Sequence, residues 1–321
     1  MPPRRRAFAT LLTSAGYLPG ALALAKSLAR AHADSVLYVL ATPAVADAPL
    51  VADALAGEAP NARIRAVPQV PNPYEGAHPR YADVFAKLHC WRMSDVADVV
   101  VFLDADTAVV GNISDLFERP VHDGMLAAAP DIAAADLFNA GVMVIAPSEV
   151  VADRLFALLA DRALPAYDTG DQGFLNSYFG GWYASDAAYR LPLLYNAPVE
   201  LAIREPAYFA TLWSERRIKL VHYWGSRKPW HFWRCFDHTN PVPREADADA
   251  HDDGGAGAGA GAKRANDAVF AVRQNKLRKM VGDVHFDLLV EWWNVYTGRD
   301  VRVSADALRA AAAEEEEEDD A

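Results

Sequence analysis

Cysteine is nearly absent, with Cys90 and Cys235 the only two in 321 residues. Two thiols cannot build the crosslinked framework of small secreted folds, and one pair in a chain this size fits reduced thiols in a cytosolic setting. Long apolar runs are missing too. No stretch approaches the roughly 20 apolar residues that cross a bilayer. The basic start Arg4-Arg5-Arg6 leads into the strand-like Ala7 to Thr13, without an apolar leader or a small-residue cleavage site. The chain therefore reads as soluble and cytoplasmic, with no membrane span. A basic excess is the third absence. The formal net charge of −12 argues against non-specific nucleic-acid binding, whose electrostatic footprint is a basic face. Seven of those charges sit in Glu314 to Asp320, leaving about −5 for the rest, so the body is only mildly acidic.

What is present is apolar and regularly patterned. At 52% hydrophobic composition, the chain can bury a substantial core as one large α/β domain. Phe8 to Thr13, Val36 to Ala41, Arg63 to Val67 and Asp98 to Leu103 read as strands. Leu18 to His32, Pro43 to Gly57 and Tyr81 to Met93 read as helices between them. This alternation predicts a mostly parallel sheet with helices on both faces, and a ligand site beyond the carboxyl ends of its strands. Further strands are expected at Met125 to Ala129 and Val142 to Ala146. Next comes a helix from Ser148 to about Arg162, where the hydroxyl can cap free N–H groups and Glu149 suits the dipole. The chain divides into a main domain over 1–243 and a flexible acidic and Gly/Ala insertion over 244–266. A helical part over 267–300 packs on the same domain, its last helix carrying Phe286, Leu289, Trp292, Trp293 and Tyr296 at helical spacings. An acidic, solvated tail occupies 301–321.

The strongest local signal is Val99-Val-Val-Phe-Leu-Asp104-Ala105-Asp106. In extended chain, residues i and i+2 point to one side, so both carboxylates can face one ligand at the strand's end. Two like charges so close are costly unless they share a cation, and hard oxygen ligands suit Mg²⁺ or Mn²⁺ holding a diphosphate. Two other readings stay open for this stretch: a helix-capping Asp beside an exposed one, and the first motif of a haloacid-dehalogenase-like phosphatase, with Asp104 as nucleophile and Asp106 as acid/base. Against the phosphatase, a whole α/β unit precedes the motif and no paired-acid loop follows. His222 ends another apolar run, and Gly225 to Lys228 after it offers a permissive Gly and a phosphate-binding cation. Asn139-Ala-Gly141 precedes a strand where the backbone can approach a ligand. Asp168, Asp171 and Gln172 lie before a helix over Phe174 to Phe179, where Asp171 either caps the helix or orients sugar hydroxyls.

Together these blocks resemble family 8 glycosyltransferases, the glycogenin-like branch first and the galactinol synthase-like next. The blocks are Thr10-Leu-Leu-Thr13 with Tyr17, Lys87-Leu-His-Cys-Trp91, Phe102 to Thr107, Asn112 to Phe117 and Phe138-Asn-Ala-Gly141. Then follow Gly170-Asp-Gln-Gly173, Leu191 to Asn196, and Val221-His222 with Lys228-Pro-Trp230. They occur in family order across residues 7 to 232.

The resemblance implies a Rossmann-like GT-A fold that binds a nucleotide sugar. It also implies Mn²⁺ or Mg²⁺ dependence and retaining transfer from a UDP-sugar, UDP-glucose or UDP-galactose, to a carbohydrate or polyol acceptor. By matched position, Leu11, Thr13 and Tyr17 hold the uridine, and Lys87 helps bind the donor. Asp104, Asp106 and His222 bind the metal, with Ala105 between the acids at the cofactor. Asn139, Gly141, Asp168, Asp171 and Gln172 surround the sugar, while Gly225 and Lys228 take the diphosphate. Lys228 joins Asp168, Asp171 and Gln172 as the catalytic set, and a homodimer is implied by resemblance alone. One departure stands out: the self-glucosylating members carry a tyrosine where this chain has Ile203, so transfer to a separate acceptor is expected. Self-glucosylation, phosphatase activity and a catalytically inactive sugar-nucleotide-binding protein are the alternatives.

Overall fold

The segments expected as strands from Phe8, Val36, Arg63 and Asp98 become the parallel part of a six-stranded sheet. In the computed structural model, which describes residues 4–236 and 260–302, the strands are β1 (Arg6–Leu12), β2 (Leu37–Ala41), β3 (Ala62–Ala66), β4 (Val99–Leu103), β5 (Thr107–Val109), β6 (Ala127–Pro130), β7 (Phe138–Ile145), β8 (Ala197–Pro198) and β9 (Leu220–His222). The large sheet runs β3-β2-β1-β4-β7-β6. The three pairings among β1 to β4 are parallel, whereas β7 pairs antiparallel with β4 and with β6. This is the mixed, mostly parallel α/β sheet expected. A small second sheet, β5-β9-β8, joins segments far apart in sequence.

Contacts divide the described residues into two compact units, 4–198 with Leu212–His222, and Val199–Thr211 with 223–236 and 260–302. In the first unit one sheet face buries Ala7, Ala9, Leu40, Val100, Phe102, Met143 and Ile145 against Phe85, Leu88, Trp91, Leu155, Phe174 and Trp182. These come from a 3-10 helix over Val84–Arg92, from α4 (Glu149–Ala160) and from α5 (Asp171–Tyr178), with Trp182 in the turn that follows α5. Strand residues alternate sides, so Phe8 faces the other way. There it meets Phe117 edge-on at 4.9 Å between ring centroids, and His32 beyond the last residue of α1 (Leu18–Ala31).

Two helices depart from expectation. Pro43 to Gly57 forms two elements, α2 (Pro43–Ala46) and α3 (Pro49–Glu58), with Ala48 extended at φ −77° and ψ 114°. Pro49 supplies the break: its ring disfavours helical backbone in the residue before it, and it has no N–H to continue the ladder. The helix expected over Tyr81 to Met93 is present over Val84–Arg92, with 3-10 pitch. Every residue from Phe85 to Trp91 is buried, so tertiary packing on all sides overrides the ordinary pitch. Strand β7 also begins four residues earlier than expected, at Phe138 instead of Val142.

In the second unit α6 (Val199–Arg204), part of α7 (Pro206–Ser214), α8 (Trp233–Phe236), α9 (Ala260–Val281) and α10 (Asp283–Thr297) occur. Its core is aromatic: Trp292 stacks on Tyr296, Phe236 on Trp293, and the Trp293 indole N–H donates to Pro229 O at 3.1 Å. Of the insertion expected over 244–266, residues 244–259 lie outside the described ones and 260–266 are backbone of α9. The tail from 303 on is likewise outside them. Among the described residues no helix is long and apolar enough to cross a membrane.

Ser148 caps α4 as its sequence suggests. The hydroxyl accepts from Val151 N at 3.5 Å and donates to Asp123 Oδ2 at 3.0 Å. Ser148→Ala is expected to cost about 1 kcal/mol, read as a lower urea midpoint at unchanged slope. An unmoved midpoint would show that the cap contributes nothing.

Candidate active site

The two acids after β4 come together, but not as extended chain. Backbone turns at Asp104: the Thr107 N–H and hydroxyl both donate to the Asp104 carbonyl, at 3.0 and 2.7 Å. Ala105, buried inside this turn, separates carboxylates that converge because the chain bends. The bend also starts β5, which runs antiparallel to β9 with Thr107 opposite His222. That register delivers the imidazole. His222 Nε2 lies 3.2 Å from Asp106 Oδ1 and 3.9 Å from Asp104 Oδ2, and one ligand atom from each of the three residues falls within 4.8 Å of the others.

Gly141 sits within β7, and its bare Cα is what the imidazole packs on. A Cβ built there would stand 2.2 Å from His222 Cε1 and 2.8 Å from Nδ1. Glycine is therefore required by the histidine, in addition to any ligand. Asn139, two residues back on β7, accepts from Gly141 N at 3.0 Å and from Asn196 Nδ2 at 2.8 Å. Asn196 in turn faces His222 Nδ1 through its Oδ1 at 2.9 Å.

Lys87 projects from the 3-10 helix and is buried. Its Nζ lies 3.1 Å from Asp104 Oδ1, in ion-pair contact with Asp171 Oδ2, and 3.2 Å from the Ala140 carbonyl. It also stands 4.9 Å from the centroid of the Phe102 ring. Burial alone would lower the Lys87 pKa; Asp104 and Asp171 reverse that and raise it above the ordinary lysine value. The Asp104 carboxyl is raised, by burial first and by Asp106, against the opposing pull of Lys87 and His222. Asp171 thus pairs with Lys87 instead of capping α5. Tyr17, in the 3-10 turn after β1, has its phenol pushed up to about 12 by burial, with Asp106 and then Asp104 adding to it. The acids are within electrostatic reach of that ring. Leu11, near the carboxyl end of β1, and Thr13, just beyond it, are half-buried.

The cap of α5 comes from Asp168, whose Oδ1 accepts from Gly170 N at 2.9 Å and Gly173 N at 3.0 Å. Burial raises its carboxyl, with Asp171 adding and those N–H groups opposing. Gln172 is held on three sides: its Oε1 accepts from Ala140 N at 3.2 Å, and its Nε2 donates to Asp131 Oδ2 and Tyr167 Oη, each at 3.0 Å. Sequence reasoning missed Asp131, Tyr167, Asn176 and the role of Asn196. Asn176 clamps Phe138 with both amide atoms, accepting from its N–H at 2.9 Å and donating to its carbonyl at 2.8 Å. Asn196 closes a block that carries the resemblance and so had a signal; Asp131, in a loop, had none.

Gly225 and Lys228 belong to the second unit. Gly225 adopts φ +91°, a conformation that side chains disfavour. Buried Lys228 donates from Nζ to the Tyr223 carbonyl at 3.0 Å, bracketing the Tyr223–Lys228 loop. The Tyr223 hydroxyl donates to Leu288 O at 2.9 Å.

Removing the buried ammonium of Lys87 would strand Asp104 and Asp171 without it. Lys87→Met is therefore expected to cost about 3–5 kcal/mol, measured as a lowered thermal midpoint. A midpoint equal to that of the unaltered chain would deny that the bridge supports the fold.

A family model described as glycosyl transferase family 8 matches residues 9–234. Glycogenin-1 of Mus musculus is 34% identical over 240 residues, 71% of this chain and 66% of its own length. Inositol phosphorylceramide glucuronosyltransferase 1 of Arabidopsis thaliana is 30% identical over 250 residues, 71% of this chain and 43% of that protein. The chain thus spans just under two thirds of the first relative and less than half of the second. Among solved structures, an active-site mutant of LgtC aligns with a TM-score of 0.50 at 22% identity, over 70% of this chain and 89% of that one, a likeness of fold that matches the GT-A expectation. Ordered motifs from β1 to the second unit, a matching sheet and a family model spanning most of the chain lead to one conclusion: the chain belongs to glycosyl transferase family 8.

Proposed function

We propose that this chain is a Mn²⁺-dependent retaining glycosyltransferase that moves a hexosyl group from a UDP-sugar to a separate carbohydrate or polyol acceptor. The convergence of Asp104, Asp106 and His222 carries the reading. Two hard carboxylate donors and one imidazole, gathered from the turn after β4 and from β9, make a ligand set suited to a small divalent cation such as Mn²⁺ or Mg²⁺. When bound, the metal supplies positive charge against the donor's diphosphate.

The chain's own groups fit the remainder of the reaction. In the transfer the bond from C1 to the diphosphate oxygen breaks, with its electron pair leaving on UDP. A bond from the acceptor oxygen to C1 forms with net retention of configuration, and the proton of the acceptor hydroxyl passes to the departing diphosphate. Leu11, Thr13 and Tyr17 would bracket the uridine at the end of β1, the carboxyl-end position where sheets of this class bind ligands. Lys87 holds Asp104 and Asp171 in fixed positions, so those acids need no reorganisation when charge develops. Asp168 spends Oδ1 on the α5 cap, which leaves Oδ2 to meet a sugar hydroxyl. Gln172 is oriented by Asp131 and Tyr167, and Asn139 and Gly141 form the adjoining wall. The resemblance assigns the diphosphate to Gly225 and Lys228, and that assignment is part of the proposal. We further propose a cytoplasmic enzyme, in accord with its unpaired cysteines.

Relatives named as a glycogenin and as a glucuronosyltransferase put the choice of hexose among the questions for assay; UDP-glucose and UDP-galactose are the donors we favour. A separate acceptor is favoured by Ile203, which lies in α6 and is 54% exposed. It has no hydroxyl to accept a sugar.

A screen detecting UDP release from each UDP-sugar with Mn²⁺ tests the reading, and no release with any donor would sink it. Asp106→Asn is expected to abolish Mn²⁺-dependent release while the circular dichroism spectrum stays unchanged; retained release would remove Asp106 from the metal site. Intact mass after incubation with UDP-glucose and Mn²⁺ is expected to stay constant. A ladder of hexose additions would instead establish self-glycosylation.

A further inference from the structure

Asn196 is buried and makes two directional bonds, one to each side. Their polarity can be worked out from a single group whose role is beyond choice. A backbone N–H only donates, so Gly141 N fixes Oδ1 of Asn139 as an acceptor, at 3.0 Å. The Asn196 atom that meets the same oxygen at 2.8 Å must then be its amide nitrogen, the donor. The other end of Asn196 is consequently a carbonyl oxygen, and it faces His222 Nδ1 at 2.9 Å. An acceptor there requires the proton on Nδ1. In the neutral ring the lone pair then sits on Nε2, the atom that faces Asp106 at 3.2 Å and Asp104 at 3.9 Å and that a metal would take.

We infer that Asn196 is a positioning residue for the metal. Through Asn139 and Gly141 it transmits the polarity of the β7 backbone to His222 and fixes the ring as the tautomer that presents Nε2 to the cation. The inference rests on the proposed Mn²⁺ site. It adds that the site's third ligand is set by an amide relay, Gly141 to Asn139 to Asn196 to His222, all within the first unit. Orientation of this kind is worth about 10- to 100-fold in metal affinity. The same relay explains why the ring cannot rotate freely: its other face lies on Gly141, where a methyl group would overlap it.

The test is a direct titration of the full chain with Mn²⁺, following the signal of free aqueous Mn²⁺ by electron paramagnetic resonance with no donor present. The unaltered chain should bind Mn²⁺ and His222→Ala should lose it. If the unaltered chain fails to bind, or His222→Ala binds as well, the metal reading falls and the relay falls with it. Given those two results, Asn196→Ala is expected to weaken Mn²⁺ about 10- to 100-fold, and wild-type affinity in that variant would overturn the relay alone. Asn196→Asp separates orientation from packing, because a carboxylate still accepts from Nδ1 while it loses the donation to Asn139 and brings a charge into a buried position. Orientation predicts that Asn196→Asp retains wild-type affinity or tightens it, while a purely structural role predicts Asn196→Asp to be at least as impaired as Asn196→Ala. If Asn196→Ala does not fold, Asn139→Ala serves in its place. It frees the Asn196 amide to flip, and so should weaken Mn²⁺ binding; unchanged affinity there would equally overturn the relay.

Discussion

The candidate site depends on one strand register, Thr107 opposite His222. Every other element of the site could form around a sheet of the β1 to β4 kind without it. The imidazole reaches the acids only because the short β5 that follows their turn pairs with a strand more than a hundred residues later. Side chains on a strand alternate between faces, so a slip of one residue would turn His222 away and bring Val221 in its place. The packing of the ring on Gly141 opposes such a slip, since only a residue without Cβ leaves space for it. Pairing, turn and glycine therefore specify the same geometry from three separate places in the sequence.

Lys87 solves a different problem. Three carboxylates, those of Asp104, Asp106 and Asp171, are gathered at the end of a buried strand, where charges are costly to hold. Lys87 lies between two of them and touches the Ala140 carbonyl as well. Its stem comes from the middle of a segment buried from Phe85 to Trp91, so the ammonium cannot withdraw to solvent. Asp104 is left shared between that ammonium and the imidazole. This division accounts for the opposing influences on its carboxyl, burial and Asp106 pushing it up while Lys87 and His222 pull it down.

Much of this could be read from the residues. The strands β1, β2 and β4 are largely apolar runs bounded by turn-formers, and such runs announce buried parallel strands directly, while β3 at the sheet edge carries Arg63 and Arg65 and is partly exposed. Ser148 followed by Glu149 announced α4. His222 was legible because it ends an apolar run inside an ordered set of family blocks. What was not legible follows from non-local causes. The acids at 104 and 106 suggested an extended i, i+2 pair, yet their convergence is a turn made by Thr107, whose hydroxyl bonds back to Asp104. The 3-10 helix carrying Lys87 obeys packing on all sides, which leaves no amphipathic pattern to read. Asp131 reaches the site through Asn139 on β7 and Gln172 on α5, and nothing near it in the sequence marks that role. Asp171 showed only its place near a helix start, where a cap is the simple reading; the ion pair with Lys87 spans 84 positions.

The polar surroundings of β7 are mostly amides, and the chemistry gives a reason. Asn139, Asn176, Asn196 and Gln172 each use a donor and an acceptor at once. A carboxylate in their place could only accept, and would add negative charge beside acids that already resist burial. A lysine could only donate, and would compete with a cation for those acids. The amide alone can be neutral, be satisfied on both sides and pass a direction along, which is what a buried network needs if it is to hold one orientation. The direction begins at the Gly141 N–H, a group that sits in β7 and cannot change sign. Rigid backbone thus sets the orientation of the side chains nearest the acids, and the short bonds between them leave little room for an alternative arrangement.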